Sequence, residues 1–420
     1  MIWLGGLIVI ITFYAIIKRW ETRMVLFVSG VVMAAASGKM AGAIEAFTKA
    51  MVNESLVPVI CSVMGFAFVM KYTNCDKHMV QFLAGSIKRM RLILIPATVM
   101  VTFAINIALP SAAGCSAAVG AILIPTLIRA GIHPAIAGSA VLAGTYGGVL
   151  SPGSAHPPFI GKLANIDVMS VIAGHTMAAI VCGLIGAIAL MVVAIIRKEH
   201  QGYVQMVDGA PNEHLEENFN VSYIKAIVPI VPLVLLVLGS KQLHILPLVS
   251  VPEAMLFGTV LGLIICRSNP QEVTKQFFSG MGQAYGNVIG IIIAAAVFTK
   301  GMELIGLTGA LIEVMKHSEQ IARGAAAFGP MIIAILCGSG DAATLAFNGA
   351  ITPHAADFGF GISQMGSASF LSGSFGRTMS PVAGAAIVCA QLAGVDPMEI
   401  AKRNAPGMII AAIASMFILL

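Results

Sequence analysis

The sequence predicts an all-α polytopic membrane protein built from two inverted repeats, each with a re-entrant hairpin and a broken transmembrane helix. Three observations predict it. Of the 420 residues, 58% are hydrophobic and only 10% are charged, where a soluble domain carries about 25% charged residues. Apolar stretches recur along the whole chain, each near the roughly 20 residues that a bilayer crossing needs. Finally, residues 144–152, GTYGGVLSP, return at 373–381 as GSFGRTMSP.

The elements follow in chain order. Spans are expected at 2–17, 24–38, 55–70, 134–166, 169–196, 224–239, 250–266, 284–299, 363–395 and 405–420. The first 17 residues lack a basic leader and an A-x-A site, so they read as a retained helix. Two apolar stretches differ. Residues 92–129 are interrupted at Leu109 to Gly114, and residues 325–352 at Gly338 to Asp341. Both are read as re-entrant hairpins whose polar tips line a protein-enclosed cavity, because lipid leaves unpaired backbone unsatisfied. The region 39–54, between the second and third spans, reads as a loop. The polar stretch 199–222, with Glu199, Asp208, Glu213, Glu216 and Glu217, reads as a cytoplasmic linker. The chain then divides into scaffold helices at 1–91, a first hairpin and broken helix at 92–166, and a linker with scaffold helices at 167–299. A second hairpin and broken helix follow at 300–395, and a last helix at 396–420.

Charge supports this layout. With the 18–23 loop inside, inside loops hold 16 Lys and Arg and outside loops six. The inside set includes Arg19, Lys88, Arg89 and Arg91, and the outside set includes Lys241. Such a bias orients membrane proteins and places both termini outside. The remaining two cations, Lys162 and Arg377, fall within expected spans. The net charge of +5 is too small and too scattered for nucleic-acid binding. The composition also excludes a soluble enzyme. Forty-four glycines suit close helix packing. The cysteines Cys61, Cys75, Cys115, Cys182, Cys266, Cys337 and Cys389 form no CxxC pair, and read as small apolar residues.

The repeat extends beyond the nine-residue match. Gly138-Ser139-Ala140 corresponds to Gly366-Ser367-Ala368, Leu163-Ala164 with Asp167 to Leu392-Ala393 with Asp396, and Ser111 to Ser339. Five crossings separate equivalent points, so the two repeats should run in opposite orientations, the layout of many secondary transporters. Ser151-Pro152 and Ser380-Pro381 should break the spans that contain them, since proline removes a helix donor and clashes with the preceding turn.

Four breaks should therefore meet at one cavity. Their candidate binding residues are Ser111, Gly114 and Ser116; Ser151, Pro152 and Ser154; Ser339, Gly340 and Thr344; and Thr378, Ser380 and Pro381. Each break offers hydroxyls and free backbone groups, and helices that restart there point positive ends inward, which favours anions. The alternative is that these small residues only pack helices. Arg377 is the most informative side chain. A charge at mid-membrane costs about 2.5–3.5 kcal/mol even on lenient scales. It replaces Gly148 of the first repeat, so the fold does not require it. It could grip a carboxylate bidentately or pair with Asp341. Asp341 is a candidate coupling group, for a proton or for sodium. His156 is either a satisfied polar residue or a second protonatable group. Lys162 reads as a snorkelling residue. His133, His175 and His354 lack metal spacing. No phosphate loop, triad or zinc signature appears, so neither cofactor nor metal is expected beyond a coupling H⁺ or Na⁺.

Gly338-Ser339-Gly340-Asp341-Ala342, Gly376-Arg377-Thr378-Met379-Ser380-Pro381-Val382, Ser111-Ala112-Ala113-Gly114 and Asp76-Lys77-His78-Met79-Val80 resemble the DcuC-type anaerobic C4-dicarboxylate carriers of the ion transporter superfamily, over nearly the whole chain. The resemblance implies an elevator-type carrier, a homodimer in the lipid of the bacterial inner membrane. It would move succinate, fumarate or malate by exchange or with cations. Ser111, Ser151, Ser339, Arg377, Thr378 and Ser380 carry over as site residues. Two departures stand out. The family's second tip often has an amide where Asp341 stands, and an acid can occur near His156. A cation/proton antiporter, a mono- or tricarboxylate carrier, and a membrane sensor or enzyme subunit are the competing readings.

Overall fold

The computed structural model describes residues 1–18, 20–54, 56–85, 94–203, 220–239, 245–316 and 319–420. Arg19, Lys88, Arg89, Arg91 and Lys241 of the charge count lie outside the described residues, as do Asp208, Glu213, Glu216 and Glu217 of the linker. Every regular element among the described residues is helical. The first half holds α1 (Ile2–Ile17), α2 (Thr22–Ala36), α3 (Met40–Met51), α4 (Val57–Tyr72), α5 (Cys75–Gly85), α6 (Leu94–Ala108), α7 (Ala112–Arg129), α8 (Pro134–Gly144), α9 (His156–Ala164) and α10 (Val168–Ile196). The second holds α11 (Tyr223–Ile227), α12 (Val231–Leu238), α13 (Val251–Cys266), α14 (Pro270–Ala284), α15 (Gly290–Leu304), α16 (Leu307–Lys316), α17 (Glu319–Cys337), α18 (Gly340–Ala350), α19 (Ile362–Thr378), α20 (Gly384–Ala393) and α21 (Pro397–Leu419).

Both interrupted stretches form helix pairs broken where expected. The arms α6 and α7 meet at residues 109–111, and α17 and α18 meet at 338–339. Gly338 turns the second tip with φ of 76°, a conformation that glycine adopts without steric cost. Both helix breaks also form. The helix α8 tightens into a 3₁₀ turn at Thr145–Leu150, stops at Ser151-Pro152 and restarts as α9. The helix α19 stops at Thr378 and restarts after Pro381 as α20.

Local signals repeat between the halves. Ser111 caps α7 by accepting from Gly114 N–H at 3.2 Å, and Ser339 caps α18 by accepting from Ala342 N–H at 3.3 Å. Asp167 and Asp396 cap α10 and α21 in the same way. Asn165 and Gly394, just before them, both end their helices in the left-handed conformation. Such caps satisfy backbone groups that a helix end leaves free.

Packing is reciprocal as well. The helix α6 packs on α8 as α17 does on α19; α2 packs on α15, and α13 on α4; α3 packs on α15, and α14 on α4. The equivalent helices α10 and α21 pack on each other. The largest apolar core joins α6–α10 to α17 and α19–α21. A second core joins α1 and α2 to α15, α17 and α18. Where α2 crosses α15 the backbones nearly touch. A Cβ on Gly30 would lie 2.5 Å from the Val297 carbonyl oxygen, so only glycine permits the approach.

Three expectations about the layout need correction. The loop expected at 39–54 is largely the helix α3. The span placed at 284–299 is the second half of a 35-residue helical run from Pro270 to Leu304, joined through a π-turn at Tyr285–Ile289. The span placed at 405–420 is the latter part of a helix that starts at Pro397. Polar residues hid both extensions: Gln271, Glu272 and Lys275 in α14, and Glu399, Lys402 and Arg403 in α21. The cysteines of the described chain are all free, five of them buried, as their apolar settings implied. Among the described residues, four helical runs are long and apolar enough to cross a membrane, α7, α10, α14–α15 and α17. The bent pairs α4–α5 and α20–α21 turn by 80° and 116°.

Arg403 is 3% exposed. It donates to Glu199 through Nε at 2.8 Å and through a second nitrogen, and to Glu399 at 2.7 Å. This ties the start of α21 to the chain leaving α10. Replacing Arg403 with Ala strands Glu199, itself only 14% exposed. The expected loss is about 2–3 kcal/mol, below the range for a fully buried pair. Thermal unfolding of the purified protein in detergent measures it.

Candidate functional site

A cavity of about 350 Å³, open to solvent, lies where the hairpin tips meet the helix breaks. Four helix starts reach it: Ser111, Ala112 and Ala113 from α7; Gly153, Ser154 and Ala155 from α9; Asp341 from α18; and Gly384 and Ala385 from α20. The free N–H groups of a helix start, and the positive end of its dipole, make each an anion-favouring edge. Asn106, Thr145, Tyr146, Gly148, Phe370, Ser374 and Arg377 complete the polar and aromatic wall, and Ile60, Met64 and Val288 close it from α4 and the π-turn.

The wall is held by bonds that cross between the halves. Arg377, half-buried at the end of α19, donates to the Thr145 carbonyl at 3.1 Å and to Thr145 Oγ1 at 3.3 Å. His156, 1% exposed, meets Asp341 Oδ1 through Nε2 at 2.9 Å. Its ring stacks on Phe370 with centroids 4.2 Å apart. Tyr146 and its repeat equivalent Phe375 stack on each other at 5.0 Å. Asn106, 1% exposed, pins the first tip to the first break: its Nδ2 donates to the Leu109 carbonyl at 2.7 Å, and its Oδ1 accepts from Gly148 N–H. His175 uses both ring nitrogens, on Val149 O and Ser367 Oγ, and so behaves as a structural residue.

The pairing of Arg377 with Asp341 weighed from the sequence does not form. Arg377 bonds to Thr145, and Asp341 to His156. Of the five N–H donors on the guanidinium, two are taken by Thr145, and the side chain lines the cavity. Asp341 keeps 69% exposure, with one oxygen on His156.

Among the expected site residues, Ser111, Ser154, Asp341 and Arg377 line the cavity, and His156 stands directly behind Asp341. The others hold the frame. Ser151 and Pro152 face a smaller void with Val63, Phe66, Pro229 and Pro232. Ser339 caps α18, and Gly114 donates to Ser111. Gly340 lies against the Gly373 backbone. Ser116 is fully buried. Thr344, Thr378 and Ser380 donate to the carbonyls of Ser369, Ser374 and Ile335, and Pro381 follows Ser380 in the second break.

Sequence reasoning passed over Asn106, Thr145, Phe370 and Ser374. A signal for two of them was present: Thr145 and Ser374 are repeat equivalents inside GTYGG and GSFGR. The repeat also shows where symmetry is broken. Arg377 faces the cavity opposite Gly148, Asp341 opposite Ala113, and the counterpart of His156 is Ala385.

Comparison with known proteins places this geometry. The family described as C4-dicarboxylate anaerobic carrier (DcuC) matches residues 7–420. A putative uncharacterized transporter of Haemophilus influenzae is 40% identical over 274 residues, 63% of this chain and 98% of that protein. The anaerobic C4-dicarboxylate transporter DcuC of Escherichia coli K12 is 25% identical over 95% of this chain and 93% of its own. The crystal structure of the Alcanivorax borkumensis YdaH transporter shares the fold, with a TM-score of 0.61 at 14% identity over 90% of this chain and 86% of that one.

Asn106→Ala removes both bonds that join tip to break. It is expected to lower stability by about 1–3 kcal/mol, the cost of stranding buried backbone groups, read as a lower unfolding temperature. Asn106→Asp, which sets a buried carboxylate oxygen against the Leu109 carbonyl in place of the Nδ2 donor, should lose at least as much.

Proposed function

Because the chain belongs to the DcuC family of C4-dicarboxylate anaerobic carriers, we propose that it is a secondary transporter that moves C4-dicarboxylates such as succinate, fumarate or malate across the bacterial inner membrane. Family membership makes it a transporter rather than an enzyme, and its apolar helices make it a multi-pass membrane protein. The observation that carries the substrate class is Arg377, a cation that lines a cavity ringed by four helix starts. Arg377 and the N–H groups of α7 bind carboxylate oxygen, and the Ser111 and Ser154 hydroxyls orient the carbon chain. Asp341 with His156 tunes charge and coupling, to a proton or to sodium.

We further propose an elevator mechanism on inverted repeats. Residues 92–166 and 300–395 form the centre of the moving part, α10 and α21 pack onto it, and the helices of 1–91 and 220–299 form a scaffold that dimerises. Three features support this reading: reciprocal packing of the halves, the stacking of the equivalents Tyr146 and Phe375, and the apolar surface that α4 and the π-turn present to the cavity. An antiporter whose ion site is an Arg377–Asp341 pair gains no support, since each group has another partner.

Labelled succinate uptake into proteoliposomes loaded with fumarate tests the proposal. The wild type should exchange. Arg377→Ala should fall to the empty-vesicle background while keeping a native unfolding transition, and Arg377→Lys should retain only a small fraction, because an ammonium lacks the planar fork. Undiminished exchange by Arg377→Ala would sink the assignment.

A further inference from the structure

We propose that Cys75 and Cys266 form a dithiol modification site, which a peroxide closes to a disulfide that locks the joint between the scaffold and the moving part. The locking rests on the elevator reading given above; the formation of the bond does not.

The two thiols come from different elements. Cys75 is the first residue of α5, and Cys266 is the last of α13. Their sulfurs lie 3.4 Å apart, in hydrogen-bonding contact, although 191 positions separate them in the chain. Cys75 is buried and Cys266 half-buried.

The pair sits at a joint. The helices α4 and α5 meet at a bend of 80°. The chain turns there at Asn74, in the left-handed conformation with φ of 56°. When domains move, a few residues at element ends absorb the backbone rotation. The apolar cores show what each part of α5 belongs to. Cys75 packs in a core with Val63 and Phe66 of α4, Leu236 of α12 and Val251 of α13, and Cys266 packs against that core. Met79 and Val80, one turn further along α5, belong to the largest core, with α6–α10. The helix α5 packs on α4 and α11 of the scaffold and also on the hairpin helices α6 and α7. On the elevator reading, the boundary between the two parts therefore runs through α5. A disulfide would tie its first residue, beside the bend, to the end of α13.

The second half has the same kind of bend without the thiols. There α15 gives way to α16 at Gly306, with φ of 86°, and the next residue is Leu307, which is buried. An apolar side chain serves the fold in this place, so the sulfur of Cys75 is an addition.

Cys266 is the more accessible thiol. It loses its proton, and the thiolate attacks one oxygen of the peroxide. The O–O bond breaks, the departing hydroxide takes up the proton as water, and a sulfenic acid remains on Cys266. The Cys75 sulfur then attacks the Cys266 sulfur. The S–S bond forms, the S–O bond breaks, and the hydroxyl leaves with the Cys75 proton as water. Both thiols are oxidised and one peroxide is reduced. The charge bias places this end of the scaffold inside, with Lys71, Lys77 and Arg267. Thiols there are held reduced, and a disulfide that forms is a transient, reversible signal.

Hydrogen peroxide is applied to the purified full-length protein, and linked peptides are identified by mass spectrometry after digestion without reductant. Labelled succinate exchange is measured in proteoliposomes before oxidation, after it, and after dithiothreitol. The oxidised wild type should carry the Cys75–Cys266 bond, lose most of its exchange and regain it on reduction. Cys266→Ser and Cys75→Ala should exchange like the reduced wild type and keep that rate through peroxide. Both variants retain Cys337 at the second tip, so a loss of exchange that they share with the wild type assigns the effect elsewhere and overturns the proposal. Absence of the Cys75–Cys266 bond overturns it too, as does a bond that leaves exchange unchanged. Amide hydrogen exchange across α5 reads the lock without transport and should slow only in the oxidised wild type. If the reduced wild type exchanges no succinate, the dicarboxylate reading falls, and the α5 amides alone decide whether the joint is locked.

Discussion

Breaking a helix inside a bilayer frees N–H and C=O groups that lipid cannot satisfy, and this constraint shapes the rest of the structure. Two tips and two breaks cannot stand apart from one another here. They share one polar cavity, where hydroxyl caps, Asn106 and Arg377 take up groups that the helices release. The Ser111 and Ser339 caps, the bond from Asn106 to Gly148 and the bond from Ser380 to Ile335 are all answers to that requirement. Much of the hydroxyl chemistry near the site is therefore structural. Thr344, Thr378 and Ser380 spend their protons on nearby carbonyls, and the serines that line the cavity are Ser111, Ser154 and Ser374.

A symmetric frame holds an asymmetric site. The stacked equivalents Tyr146 and Phe375 and the equivalents Thr145 and Ser374 show that both halves contribute the same wall. The ionisable groups do not follow that rule. Arg377, Asp341 and His156 have Gly148, Ala113 and Ala385 as counterparts, each facing the same cavity. A position that tolerates glycine or alanine in one half does not need a charge for folding in the other. Symmetry separates what the frame requires from what the ligand requires.

The same comparison explains how far the sequence could be read. The hairpin tips, both Ser-Pro breaks and the importance of Arg377 were legible, because proline, a lone intramembrane charge and a duplicated motif each act through local chemistry. The helix α14 and the first turns of α21 were harder to read, since charged residues at a span's edge lower the hydropathy there below that of the apolar run they extend. The partner of Asp341 was not legible. Nothing within either half says that residues 185 positions apart will meet; only the packing of α9 against α18 brings His156 to Asp341. Asn106 was hidden for a related reason: one polar residue in the apolar run of α6 looks incidental until Gly148 is placed beside it.

Helix dipoles explain how two opposite charges can stand in one cavity without neutralising each other. Arg377 lies in the last turn of α19 and bonds to the Thr145 carbonyl, where α8 gives way to its 3₁₀ turn. It therefore sits at negative helix ends, which favour a cation. Asp341 lies in the first turn of α18, whose positive end favours an anion. Each charge is placed where the backbone already lowers its cost, so neither must collapse onto the other when the cavity is empty. A direct Arg377–Asp341 bond would close the site, since both groups would be satisfied and a ligand would have to break the pair. With Thr145 and His156 as separate partners, the charges stay apart. That separation gives the cavity a positive side at Arg377 and a negative side at Asp341.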